Sequence, residues 1–158
     1  MYKKVLFCVF YISLFYDVVN SCSCLPMTVP EKYCRADFVM KVRVLSNLKN
    51  PSGEQGFDAF YRIKIKGVPW KFNFENDVSD MKRVYTASNS ALCGVYLQKR
   101  KRYLISGRVD KEAGIMRMNS CLSIAERTRL VRSTKRLKNN PPNCAILTAP
   151  DKFLPGPS

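Results

Sequence analysis

Seven cysteines are spread along this 158-residue chain, and the setting of the first decides how the other six are read. Cys8 lies within an apolar and aromatic run from Val5 to Tyr16, just after Lys3 and Lys4. A short cationic segment followed by about twelve such residues has the pattern of a secretory signal, and it falls short of the roughly 20 residues a membrane-spanning helix needs. Val19, Asn20 and Ser21 supply the small and β-branched residues that favour cleavage directly before Cys22. Residues 1–21 are therefore expected to leave as a signal peptide, placing the protein in the extracellular space or matrix with no transmembrane segment. The remaining chain begins Cys22, Ser23, Cys24 and keeps six cysteines, with Cys34, Cys93, Cys121 and Cys144 completing the set. An even number in an oxidising compartment is a disulfide framework, although spacing leaves many pairings open. A zinc cluster is the poorer reading, because there is no Cys-x-x-Cys pair and no histidine.

The stretch between the cysteines is rich in short alternating runs. Met40, Val42 and Val44 alternate with Lys41 and Arg43 in Phe38–Leu45, and Tyr61, Ile63 and Ile65 alternate with Arg62, Lys64 and Lys66. A period of two with one apolar face predicts half-buried strands. The loop Ser46–Gly56 separates them, and a third alternation runs through Trp70, Phe72 and Phe74 before the polar interval Glu75–Asp80. Further strands are expected at Arg83–Ala87, Tyr103–Val109 and Gly114–Asn119, with a turn at Asp110–Gly114. Many short strands with intervening turns point to a small barrel or sandwich. Beyond Cys121 the period changes: Ile124, Thr128 and Val131 fall on one face beside Leu130, Thr134 and Leu137. That spacing predicts an amphipathic helix with Ser123 as N-cap and Glu126 closing a capping box, ended by Asn139–Asn143. The Pro-rich stretch 145–158 is a tail.

Charge and chemistry narrow the function. With 27 Lys and Arg against 12 Asp and Glu, the formal charge is +15, and removing Lys3, Lys4 and Asp17 with the leader leaves 25 against 11. Such a surface favours anionic partners. The absence of histidine removes the Ser-His-Asp and Cys-His catalytic arrangements, and no carboxylate pair is nominated by spacing, so no enzymatic activity is expected.

Three blocks carry a family resemblance. The first is Cys22-Ser23-Cys24-Leu25-Pro26 with Cys34-Arg35-Ala36-Asp37-Phe38-Val39. The second is Val84-Tyr85-Thr86-Ala87, then Leu92-Cys93-Gly94 and the strand Tyr103–Gly107. The third is Asn119-Ser120-Cys121 and, much later, Cys144. Together they resemble the N-terminal domain of the tissue inhibitors of metalloproteinases. The resemblance implies a mainly β fold with flanking helices, a five-stranded closed barrel of oligonucleotide-binding type known as the netrin-like module, spanning 22–144. It further implies bridges from Cys22 to Cys93, Cys24 to Cys121 and Cys34 to Cys144, each closing a long loop and contributing roughly 4 kcal/mol in the chain-entropy model.

The same resemblance implies a mode of action. The α-amine and carbonyl oxygen of Cys22 would chelate the catalytic zinc of a secreted or membrane-anchored metalloproteinase, displacing the water that attacks substrate. Ser23 would face the main specificity pocket. Cys24, Leu25 and Pro26 would lie along the cleft, with Ala91, Leu92 and Cys93 on the other side of the metal. No cofactor belongs to the protein itself; the zinc is the target's. The family more often has threonine at the position of Ser23 and valine at those of Leu25 and Leu92, which leaves target preference open. Vertebrate members carry a second cysteine-rich domain, whereas this chain stops fourteen residues after Cys144.

Lys99, Arg100, Lys101 and Arg102 form an uninterrupted cationic run, a candidate site for sulfated glycosaminoglycan. Nucleic acid is not expected as a partner of a secreted chain. The alternative function is a noninhibitory netrin-like module that binds matrix through this basic surface and needs no free amine at Cys22.

Overall fold

The computed structural model describes residues 22–53, 56–74, 81–127 and 137–147. The signal segment, the Glu75–Asp80 interval, most of the expected helix (128–136) and the tail beyond 147 lie outside the described residues.

A short helix comes first. Helix α1, Val29–Arg35, is started by Thr28, whose hydroxyl accepts the Glu31 N–H while the Glu31 carboxylate accepts the Thr28 N–H. This reciprocal cap, with Pro30 in the first turn, satisfies two otherwise orphaned donors. The helix was not among the sequence expectations, although Thr28-Val29-Pro30-Glu31 spells its start. At its other end Lys71 Nζ donates to the Tyr33 and Cys34 carbonyls at 3.4 and 3.1 Å, a cation placed where helix carbonyls lack partners.

The strands follow the alternations. They are β1 (Phe38–Val44), β2 (Ala59–Ile65), β3 (Lys71–Phe72), β4 (Arg83–Thr86), β5 (Arg102–Asp110), β6 (Ile115–Arg117) and β7 (Ala125–Arg127), with a one-turn helix α2 at Cys144–Leu147. β1 pairs antiparallel with β2, β2 with β4 and β5 with β6, while β4 and β6 run parallel. β1 also pairs with β5 over six positions, from Phe38–Gly107 to Arg43–Arg102, and this closes β1-β2-β4-β6-β5 into the expected five-stranded barrel. Closure removes sheet edges that would otherwise expose unpaired backbone.

Side-chain alternation sorts the core. Phe38, Met40, Val42, Val44, Tyr61, Ile63, Ile105 and Met116 fill the interior. Val39 and Leu104 point outward yet are fully buried, because α1 lays Tyr33 and Ala36 over that part of the barrel together with Ile124 and Leu137. Phe38-Val39-Met40 is therefore buried on both faces, whereas Lys41 and Arg43, past the helix, are not. Two expectations need correction. The third alternation yields only the two-residue strand β3. The helix expected from Ser123 does not begin there: residues 125–127 form β7, paired with β5 from Tyr103–Arg127 to Ile105–Ala125. Ser123 Oγ accepts the N–H of Asn119 and so caps no helix. Pairing with an available β5 edge outweighed the local helical pattern, as tertiary context often does for short segments.

Candidate functional site

Residues 22–28 have no regular structure, and most of them are exposed. They are held by covalent bonds. Cys22 is bridged to Cys93 and Cys24 to Cys121, each with 5.1 Å between Cα atoms, and Cys34 is bridged to Cys144 at 5.2 Å, tying α1 to α2. These are the bridges implied by the resemblance. The four sulfurs of the first two lie within 4.8 Å of one another, with Cys22 Sγ 3.5 Å from Cys121 Sγ and Cys93 Sγ 3.6 Å from it. All four are spent on S–S bonds, so none offers the thiolate a metal would need. The cluster is a double staple.

Two similar turns receive the staples. Asn89-Ser90-Ala91-Leu92-Cys93 and Asn119-Ser120-Cys121-Leu122 both start Asn-Ser, and in both the asparagine Oδ1 accepts the N–H of a leucine three residues on, at 3.0 Å for Leu92 and 2.7 Å for Leu122. Asparagine favours such turns because its side chain can replace a backbone acceptor. The first turn closes further when Gly94 N–H donates to the Asn89 carbonyl at 2.8 Å. A Cβ at residue 94 would stand 2.5 Å from the carbonyl oxygens of both Ala87 and Asn89, so only glycine fits. Cys93 itself takes φ of 61°, a left-handed conformation uncommon for a residue with a side chain. The turns are joined where Ser120 N–H donates to the Cys93 carbonyl at 2.9 Å, and Lys32 Nζ from α1 reaches the Ser120 and Ser123 carbonyls.

The result is an exposed segment on a rigid base. Ser23, Cys24, Leu25 and Pro26 are exposed, Leu25 to 73%, while Cys22, Ala91, Leu92 and Cys93 are partly buried. Every residue singled out from the sequence for the inhibitory edge therefore belongs to this stapled ridge. The supports Asn89, Asn119, Ser120 and Lys32 were not anticipated, and the repeated Asn-Ser before a leucine was the available signal for the first three.

A match over most of the chain settles its relationship: the tissue inhibitor of metalloproteinase family model covers residues 20–141. The chain belongs to this family. Metalloproteinase inhibitor 2 of Homo sapiens is 29% identical over 127 residues, covering 77% of this chain and 56% of that protein. Its namesake from Rattus norvegicus is 31% identical over 108 residues, or 65% of this chain and 47% of the relative. Metalloproteinase inhibitor 4 of Rattus norvegicus is 31% identical over 94 residues, 57% and 42% of the two chains. This family member thus spans about half the length of the curated relatives it matches.

The basic run lies away from the staples. Lys99 to Lys101 form the turn before β5, and Arg102 opens the strand, all four exposed. Arg100 takes φ of 66° and donates its N–H to the Val44 carbonyl, pinning the turn to the end of β1. Strand pairing then adds what the linear run does not contain. Arg43 stands opposite both Arg102 and Lys64, so three exposed cations line up across three strands at intervals of about 5 Å. The next strand pair sets Arg62 opposite Arg83. The ion pair found among the described residues, Arg117 with Asp110, is not part of this row. No described helix is long and apolar enough to cross a membrane.

Proposed function

We propose that the protein, cleaved ahead of Cys22, inhibits zinc metalloproteinases by presenting its new α-amine and the Cys22 carbonyl oxygen to the catalytic zinc. The observation carrying this reading is the ridge itself. Ser23 to Pro26 are exposed, Cys22 is partly buried, and the segment is stapled at two points to paired, hydrogen-bonded turns, so little conformational freedom remains to be lost on binding. An amine nitrogen and the carbonyl oxygen of the same residue form a five-membered chelate. The reference pKa of an α-amine, about 7.7 to 8.0, lets a metal displace its proton near neutral pH more readily than that of a lysine. The donors cannot act as the nucleophile that the displaced water was, so hydrolysis stops.

Ser23 then faces the specificity pocket, Cys24, Leu25 and Pro26 extend along the substrate cleft, and Ala91, Leu92 and Cys93 press on the other side of the metal. In this reading residues 1–21 are the leader of a secreted protein, 22–144 the inhibitory domain and 145–158 a short tail. Titrating a matrix-type zinc endopeptidase with protein that begins at Cys22 should abolish its activity at a one-to-one ratio. Full activity at a tenfold excess, repeated across several such enzymes, would overturn the proposal.

A second reading has its own support. Like charges placed directly opposite one another on a sheet are unfavourable unless an anion lies across them, and the row Arg102-Arg43-Lys64 has that arrangement. It extends the Lys99–Arg102 run into a patch suited to a sulfated glycosaminoglycan, whether or not the ridge inhibits. Replacing Arg43, Lys64 and Arg102 with glutamine should lower the salt needed for elution from immobilised heparin by at least about 0.1 M, because fewer sulfate groups are neutralised and fewer counterions are released on binding. Replacing the exposed Lys111 and Lys138 is the control. Equal shifts from both sets would mean that net charge alone is sensed.

A further inference from the structure

Between the two Asn-Ser turns and the barrel is a cleft of about 240 Å³. Its wall combines Tyr85, Leu92 and Leu122 with three arginines, Arg35, Arg108 and Arg117, and no acidic residue among the described ones lines it. One of the nearby acids is the ion-pair partner of a wall arginine, and the other is taken up by a backbone N–H. Asp110 accepts from Arg117 Nε at 3.2 Å and from the Ala113 N–H, and Asp37 accepts the Val109 N–H. Arg117 is also held by the Phe57 carbonyl, to which its Nη1 donates at 3.1 Å. It is therefore a cation fixed in place before any ligand arrives, with donors still unspent on its planar fork.

We infer that this cleft binds a small organic anion, a carboxylate or sulfonate attached to a compact apolar body. The anionic group would sit among the arginines, whose guanidinium geometry suits two-oxygen acceptors, while the apolar part packs on Tyr85, Leu92 and Leu122. The volume lies below the roughly 300–1,000 Å³ typical of drug-sized ligands, which limits the body to one or two fused rings. Two features favour an anion over a neutral molecule of the same shape. Among the described residues the wall carries arginines and no acid, and the strongly positive chain raises the local concentration of anions around it. The inference concerns the barrel side of the turns and stands independently of zinc chelation by Cys22.

The test compares naphthalene-2-sulfonate with the uncharged naphthalene-2-sulfonamide on the oxidised protein that begins at Cys22, by calorimetry and by amide shift mapping. The sulfonate should bind at least about tenfold more tightly, with shifts centred on Leu92, Gly107 and Leu122. Arg108→Gln, a change at an exposed side chain, should weaken it several-fold, and Leu122→Trp should fill the cleft and abolish binding. A Lys99→Gln, Lys101→Gln protein, altered away from the cleft, should bind as the unmodified chain does. Equal affinity for both probes, an equal loss from the lysine variant, or undiminished binding to a folded Leu122→Trp protein would each overturn the assignment.

Discussion

One alanine added ahead of Cys22 should raise the inhibition constant against a zinc metalloproteinase by at least about a hundredfold, close to 3 kcal/mol of binding free energy. The added residue converts a basic amine into an amide, whose nitrogen lone pair is delocalised and cannot ligate zinc. It also places bulk where the chelate must close. Nothing else in the protein need change, because the staples from Cys22 and Cys24 leave from side chains and the turns that receive them are distant from the new residue in sequence. A thiol count on the unfolded, unreduced protein should give the same value for both forms and confirm that the bridges have formed.

pH supplies a second signature of the same chemistry. A proton and the metal compete for the amine, so inhibition by the Cys22 form should weaken as pH falls below about 8, approaching tenfold per pH unit at most. That slope is to be measured against the enzyme's own pH dependence. The alanine-extended form, whose α-amine stands one residue ahead of the chelate, should lack the slope. Equal potency of the two forms would remove the chelate from the mechanism and leave the ridge as a simple steric plug.

Replacing Gly107 with alanine should lower the stability of the barrel by about 3 kcal/mol or more, within the range for forced overpacking of a buried site. Gly107 is buried in the middle of β5, opposite Phe38 across the strand pair that closes the barrel. A Cβ there would collide with the Arg117 carbonyl oxygen and come within 2.8 Å of the Phe38 ring. The Gly107 carbonyl also accepts the Asp37 N–H at 2.8 Å, so β5 cannot move outward without losing that bond at the start of β1. The melting temperature with all bridges intact should drop by about 10 °C or more. A drop under about 2 °C would show that the strand shifts freely and that the close approach is not required. Heparin elution through the proposed Arg102-Arg43-Lys64 row, which lies at the other end of β1 and β5, should be unchanged while the protein remains folded.

How far these features can be read from the chain depends on how local their causes are. The strands at Phe38–Val44, Ala59–Ile65, Arg83–Thr86 and Arg102–Asp110 follow from alternation, because inward and outward positions are two residues apart wherever a sheet has one buried face. Helix α1 was equally legible from Thr28 and Glu31 but is only seven residues long, too short to display an apolar stripe. The segment after Ser123 misled for the opposite reason. Its spacing matched a helix, but Ala125–Arg127 had an unpaired strand edge beside it, a long-range circumstance without local trace. The bridge pattern came from resemblance, since spacing alone could not choose among pairings.

The ridge shows the same division. That Cys22, Ser23, Cys24, Leu25 and Pro26 form one unit with Ala91, Leu92 and Cys93 was a family expectation, and the covalent bridges account for their proximity. The twin Asn-Ser turns are closed by hydrogen bonds between residues three apart, whereas the Lys32 contacts that brace them reach carbonyls 88 and 91 positions away and leave no local trace in the sequence.

By itself, then, the order of residues determined the alternation of buried and exposed positions, the cationic excess, the lack of histidine and the number of cysteines available for bridging. Only the tertiary structure decided which strands close the barrel, that Arg43, Lys64 and Arg102 form one row, and that three arginines meet at a cleft beside the staples. Periodicity and composition act over a few neighbours, whereas register, closure and converging charge arise from contacts between residues tens of positions apart, fixed together when the core excludes water.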